Sequence, residues 1–291
     1  MVSCTTSRPG GSPTRVNDGP TWRVLLHEAT ARIGDRGEAR WLVESASGYP
    51  LAEALDLHAT NRTLAHFDSM VARRLNGEPL QYVLGGWGFR GLDVLVDRRV
   101  LIPRPETEIV VEHALSMIDA LDAKSVVDLG TGSGVIALSI AQERVGVDVW
   151  ATDVSQDALD VARANLAGVG RAATRVHISE GSWFAALPDE LAGRVDVVVS
   201  NPPYVATTDE LSSDVREWEP VGALIAGPRG TEAIAAILDD APAWLRRGGA
   251  VVLEIGETQS DEVLRLAQDY DDAVVHPDLT GRPRVLVAVR R

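Results

Sequence analysis

The sequence predicts an α/β fold: a mostly parallel seven-stranded sheet covered by helices and closed by a terminal antiparallel hairpin, with a small helical bundle in front of it. Three observations carry this. From Lys124 onward, apolar runs of strand length alternate with helical patterns, as in a parallel sheet buried on both faces. Before Gly85 the apolar residues recur at helical spacing. At the end, "AVVHPDL" and "RPRVLVAVR" are joined by a short link, as two antiparallel strands would be.

Taken in order, residues 1–19 hold too few apolar groups to pack and are expected to form a disordered tail. Residues 20–85 are expected to be a helical domain. "TWRVLLHEATARIG" places Trp22, Leu25, Leu26, Ala29 and Ile33 on one stripe, and three further helical stretches follow, with Trp41, Leu42, Leu64, Phe67 and Val71 expected in their core. In residues 86–106 the period changes, and Phe89, Leu92, Val94 and Val96 suggest a hairpin linking two domains. Residues 107–291 then carry the sheet. Its strand candidates are "SVVDLG", "VDVWATDV", "RVHISEG", "VDVVVSN" and "GAVVLEIG", separated by helical patterns that include "GVIALSIAQER", "QDALDVARANLAG" and "TEAIAAILDDAPAWLRR".

Composition narrows the function classes. The formal net charge of −14 argues against broad nucleic-acid binding, which depends on neutralising phosphates. The single cysteine, Cys4, excludes an internal disulfide. With no signal peptide and no apolar stretch of about 18 residues, a cytoplasmic protein is expected. No metal site is expected, and nothing in the sequence demands an oligomer, so a monomer is expected.

"VVDLGTGSGVIALSIA" puts Gly130, Gly132 and Gly134 where a strand meets a helix, with Thr131 and Ser133 between them. Such a turn lets backbone N–H groups approach a ligand. The spacing is G-x-G-x-G, not the G-x-G-x-x-G that suits a pyrophosphate. Asp128 stands just before the turn, where it can accept from an ammonium group or from loop amides. Asp153 ends the next strand, where a ribose diol is held in such folds. A carboxylate beside the turn suits the cationic amino-acid end of S-adenosylmethionine better than a diphosphate. "GSWF" follows the third strand; Ser182 and Trp183 read either as neighbours of the adenine or as a strand end with a buried tryptophan.

"VVVSNPPYV" ends the fourth strand at the same edge of the sheet. Pro202 and Pro203 each remove a ladder donor, so the chain must leave the sheet there with a stiff backbone. Asn201 offers an acceptor oxygen beside the expected methyl donor, and the Pro202 carbonyl offers another. Together they can hold both protons of a planar –NH2 group, with Tyr204 against its face. Fixing those protons aims a poorly nucleophilic nitrogen at the methyl group. Asn201, Pro202 and Tyr204 are therefore the expected catalytic residues. Asn201 to Tyr204 form the expected substrate contact, and Asn201 also borders the cofactor.

With "LIPRPETE", the segments "DLGTGSG", "TDVS" and "SNPPY" resemble the protein-(glutamine-N5) methyltransferases that modify peptide chain release factors. The resemblance runs from about residue 21 to the C-terminus. It implies a Rossmann-like class I S-adenosylmethionine-dependent methyltransferase domain behind a helical domain that grips the substrate. It implies the cofactor at Gly130–Gly134, Asp153 and Trp183, and the substrate glutamine at Asn201–Tyr204. The acceptor it implies is the glutamine of a Gly-Gly-Gln loop in class I release factors. "EWEP" (217–220) and "LEIG" (253–256) also match family segments. The chain departs from the family at Ser182 and Arg229, where acidic residues are common. Arg104 and Glu106 read either as pocket residues or as parts of a structural salt bridge.

N-P-P-Y is shared with enzymes that methylate exocyclic amines of nucleic acids, adenine N6 or guanine N2. Low basic charge and the lack of a recognisable target-recognition segment weigh against that reading. A non-catalytic module that binds release factor or ribosome has no use for the N-P-P-Y element. A dinucleotide-dependent oxidoreductase conflicts with the glycine spacing.

Overall fold

The computed structural model describes residues 19–291, and the chain divides into two compact units between Leu84 and Gly85. The tail expected over residues 1–19 lies outside the described residues except for Gly19.

The first unit comprises α1 (Trp22–Ile33), α2 (Arg36–Ser47), α3 (Leu51–Ala54), α4 (Asn61–Leu75) and α5 (Leu80–Leu84). Trp22, Leu25 and Leu26 of α1, Leu42 and Val43 of α2, and Phe67, Met70 and Val71 of α4 share one core. Helix starts follow local chemistry. The Asp35 side chain accepts from Glu38 N at 3.0 Å, and Thr60 and Thr63 form a reciprocal capping pair at the start of α4. Trp41, expected in the core, is 49% exposed. The buried residues of α2 are Ala39, Leu42, Val43 and Ala46, and Trp41 stands about 100° around the helix from Leu42.

The second unit opens with an antiparallel hairpin, β1 (Gly86–Phe89) and β2 (Leu92–Leu95). There follow α6 (Pro105–Leu121), β3 (Ser125–Leu129), α7 (Val135–Glu143), β4 (Asp148–Asp153), α8 (Gln156–Leu166), β5 (Val176–Glu180) and β6 (Val195–Ser200). The chain then makes β7 (Val205–Ala206), α9 (Ser213–Trp218), β8 (Ile225–Gly227), α10 (Glu232–Trp244), β9 (Leu245–Glu254), α11 (Ser260–Leu266), β10 (Asp271–Pro277) and β11 (Pro283–Val289). The seven-stranded sheet runs β10-β11-β9-β6-β3-β4-β5. The five strands from β9 to β5 are parallel, and β11 lies antiparallel between β9 and β10. The class I methyltransferase architecture expected from the sequence is therefore present, terminal hairpin included.

Two local expectations change. "LRR" at 245–247, read as the end of a helix, opens β9 instead, because α10 ends just after Pro242 and Leu245 is buried opposite Val195. The short parallel pair β7–β8 was not anticipated, since two or three residues are too few to show a period.

The β1–β2 hairpin belongs to the second unit, held there by Asn165 of α8. Asn165 Oδ1 accepts from Leu95 N at 2.7 Å, while Nδ2 donates to Leu95 O at 3.1 Å and to Ser133 O at 2.8 Å. One side chain thus pins the hairpin and the glycine turn together. Asn165→Ala is expected to destabilise this unit by about 1–3 kcal/mol, the cost of stranding buried partners. The urea unfolding midpoint checks it; an unmoved midpoint would mean that water replaces all three bonds.

Candidate active site

β4 and β6 leave β3 on opposite sides, so the carboxyl ends of these three strands form the crevice where doubly wound sheets bind ligands. A cavity of about 400 Å³ opens there, a size typical of small-molecule sites. It is lined by Gly130–Ser133, Asp153, Ser182, Trp183, Asn201 and Pro203, and by parts of segments 99–107 and 220–223.

The turn is built by backbone geometry. Gly130, Gly132 and Gly134 have φ of 69°, 57° and 87°, a region that disfavours side chains. Gly134 serves packing rather than the cavity: a Cβ on it would stand 3.4 Å from Ala162 Cβ of α8. Asp153 lines the cavity and braces the turn, its Oδ2 accepting from Gly132 N at 2.9 Å and its Oδ1 from Ser155 N at 2.9 Å. Each oxygen keeps a second lone pair for a ligand hydroxyl.

Asp128 requires a correction. It is fully buried behind the turn, outside the cavity lining, and its Oδ2 accepts from the Thr131 hydroxyl at 2.6 Å and from Ala137 N at 3.1 Å. Burial pushes its carboxyl up to about 7. Of the two roles read from the sequence, holding protein groups is the one its Oδ2 fills, while its Oδ1 is buried without a hydrogen-bond partner among the described residues. Trp183 is half-buried beside the turn. It packs on the core, yet its ring edge comes 3.5 Å from where a Cβ on Gly130 would stand. To reach that place it adopts φ of 48°, strain of about 1–3 kcal/mol for a non-glycine residue. Its carbonyl accepts from Thr152 Oγ1 at 3.1 Å. Ser182 is exposed at the cavity rim.

At the end of β6, Asn201 and Pro203 line the cavity, with Pro202 between them and Tyr204 next in the chain. The Tyr204 hydroxyl donates to Glu254 Oε1 at 3.3 Å, which anchors the ring. Burial raises the Tyr204 phenol above its ordinary value and keeps it a donor. Its backbone carbonyl accepts from Gln259 Nε2 at 2.9 Å. Asn201 Nδ2 donates to Thr107 Oγ1 at 3.1 Å, and Thr107 donates to Glu254 Oε2 at 2.7 Å. Thr107, Glu254 and Gln259 were not identified as site residues from the sequence, although the first two lie in segments that it flagged.

Residues 98–104 are tied to Trp218 and Glu219 beside the cavity. Ile102 N donates to Glu219 Oε2 at 3.2 Å, the Arg104 guanidinium pairs with Glu219 Oε1, and Arg98 stacks 5.0 Å from the Trp218 ring centroid. Arg104 is thus a pocket residue and a salt-bridge member at once.

Comparison with known proteins shows the family. The model described as the PrmC N-terminal domain matches residues 25–85, and the Methyltransferase small domain model matches 107–217. A release factor glutamine methyltransferase of Xylella fastidiosa (strain Temecula1) is 44% identical over 274 residues, covering 92% of this chain and 98% of that protein. Those of Streptomyces coelicolor and Moorella thermoacetica are each 38% identical, with coverages of 90% and 95%, and of 93% and 99%. The chain belongs to the release factor glutamine methyltransferase family.

Among solved structures, the hMettl16 catalytic domain in complex with a 3′UTR hairpin is similar with a TM-score of 0.51 at 15% identity, covering 81% of this chain and 84% of that one. The T. thermophilus 16S rRNA methyltransferase RsmC with AdoMet and guanosine gives a TM-score of 0.50 at 18% identity, with coverages of 71% and 50%. These two share the fold of the family's catalytic unit. As for this family member's departures, Ser182 keeps its place on the cavity. Arg229 is exposed, and its backbone N donates to Glu232 Oε1 at 3.0 Å.

Proposed function

We propose that the chain transfers the methyl group of S-adenosylmethionine to the side-chain amide nitrogen (N5) of the glutamine in the Gly-Gly-Gln loop of class I peptide chain release factors. One observation carries the reading: Asn201, at the cavity edge, has its NH2 engaged by Thr107, which leaves its oxygen as an acceptor beside the glycine turn. Family membership names the substrate class.

The cavity fits the cofactor. A Cβ on Gly132 would meet nothing within 4 Å, so the turn leaves open space for a ligand, and Asp153 retains free lone pairs at a ribose position. When bound, S-adenosylmethionine supplies an electrophilic methyl group on a sulfonium, which departs as a neutral thioether. Gly130–Ser133 hold its amino-acid end, Asp153 its ribose hydroxyls, and Trp183 with Ser182 its adenine. Asn201 Oδ1 and the Pro202 carbonyl take the two protons of the substrate amide and aim its nitrogen. One of those protons leaves to solvent as the nitrogen is methylated. Acceptor bonds that strengthen as charge develops on that nitrogen favour the transition state. Pro203 and the tethered Tyr204 stiffen this wall.

The N-terminal helical unit grips the release factor. The enzyme acts as a monomer in the cytoplasm, where termination takes place. The net charge of −14 supports a protein acceptor over a nucleic acid.

The test is methyl transfer from labelled S-adenosylmethionine to purified release factor, with a glutamine-to-alanine loop variant and duplex DNA as parallel acceptors. Label is expected on the wild-type factor alone. Label on DNA instead would move the acceptor to a nucleic-acid amine.

A further inference from the structure

An asparagine carboxamide can sit in its site in two ways that exchange its oxygen and its NH2. Only one of them presents an acceptor to a substrate amide. We propose that Glu254 is a positioning residue for methyl transfer: through Thr107 it fixes the flip of the Asn201 carboxamide, so that Oδ1 is the atom left for the acceptor amide. This rests on the acceptor role given to Asn201 above.

The chain of bonds has one consistent direction. Thr107 Oγ1 lies 2.7 Å from Glu254 Oε2 and 3.1 Å from Asn201 Nδ2. A hydroxyl has one proton, and an ionised carboxylate can only accept. The Thr107 proton therefore goes to Glu254, and toward Asn201 the Thr107 oxygen can only accept. Asn201 must turn its NH2 to Thr107 and its oxygen away. The other Glu254 oxygen is taken by the Tyr204 hydroxyl at 3.3 Å. Both carboxylate oxygens are thus committed to donors, which a carboxamide or a protonated carboxyl cannot reproduce.

The setting makes that commitment conditional on charge. Glu254 and Thr107 are buried, and Arg284 of β11, also buried, is the cation that acts on Glu254. Glu106, beside Thr107 on α6, opposes it with like charge, and Tyr204 faces it with a neutral phenol. Burial dominates and pushes the Glu254 carboxyl up to about 7. Once protonated, Glu254 must itself donate, and the Thr107 proton is released to turn toward Asn201 and favour the opposite flip.

Glu254→Gln keeps the volume and replaces one oxygen by NH2. The expected result is a fall in kcat of about 100-fold, with S-adenosylmethionine affinity by calorimetry unchanged. The wild-type decline in kcat as pH drops through about 7 should disappear in this variant. Thr107→Val should fall similarly, Thr107→Ser should restore turnover, and the double Thr107→Val, Glu254→Gln variant should be no worse than either alone, because both break one chain.

Stability separates positioning from a merely structural role. The folded carboxyl holds its proton more tightly than the unfolded one, so this group lowers stability as pH rises from about 4.5 to about 7. Glu254→Gln removes that burden and should unfold at pH 8 no earlier in urea than wild type. A readout independent of the acceptor is the nuclear magnetic resonance signal of the Asn201 side-chain NH2, expected to shift with pH through about 7 in wild type and not in Glu254→Gln. Wild-type kcat and pH profile in the variant, with Asn201 signals that ignore Glu254, would overturn the proposal. If wild type labels no release factor while those signals still follow Glu254, the substrate reading fails and the positioning inference stands.

Discussion

Asn201→Ala is expected to lower methyl transfer by about 1000-fold, the scale set by removing one preorganised hydrogen-bond partner of a developing charge. The substitution deletes the acceptor that fixes one amide proton and strips Thr107 of the NH2 it receives at 3.1 Å. S-adenosylmethionine affinity should stay nearly intact, because the glycine turn and Asp153 lie on other strands. The cofactor contact expected of Asn201 from the sequence is then secondary to its hold on the acceptor. Single-turnover transfer to release factor at saturating cofactor measures the effect. Retained turnover would remove Asn201 from the mechanism.

Asp153→Ala should act on the other substrate. A charge-assisted hydrogen bond is worth roughly 1.5–3 kcal/mol, so the loss of the ribose contact alone should weaken S-adenosylmethionine binding about 10- to 150-fold. The structure adds a second effect: the same carboxylate accepts from Gly132 N and Ser155 N, both at 2.9 Å, so its removal also frees the turn. Asp153→Asn, which keeps one acceptor oxygen, should lose less. Titration calorimetry of the cofactor decides, and an unchanged affinity in the alanine variant would place the ribose elsewhere.

Both predictions concern residues that the sequence exposes by itself. Asp153 ends an apolar strand after the glycine turn, and Asn201 ends another before two prolines. Each is legible because strand ends and turns are set by neighbours along the chain. The same locality explains where reading failed. Asp128 sits beside the turn in sequence, but only the packed sheet shows it sealed behind the loop with Thr131 and Ala137 as partners. Trp41 has the composition of a core residue, yet the phase of α2 turns it outward. Trp183 was read as a neighbour of the adenine or as a buried strand end; its approach to Gly130 and its positive φ are invisible in an amino-acid string.

The sequence by itself determined the fold class, the glycine turn, the acidic strand end and the N-P-P-Y element, since each depends on periodicity or on backbone chemistry within a few residues. Tertiary structure alone decided which groups orient them. Thr107 meets Asn201 across 94 residues of chain and Glu254 across 147, and Arg104 meets Glu219 across 115. No local pattern encodes such pairs. They arise because the carboxyl ends of parallel strands gather at one edge of the sheet, where helix ends distant in sequence meet them. There, burial favours partners for polar atoms, and a single hydroxyl proton settles which way Asn201 faces.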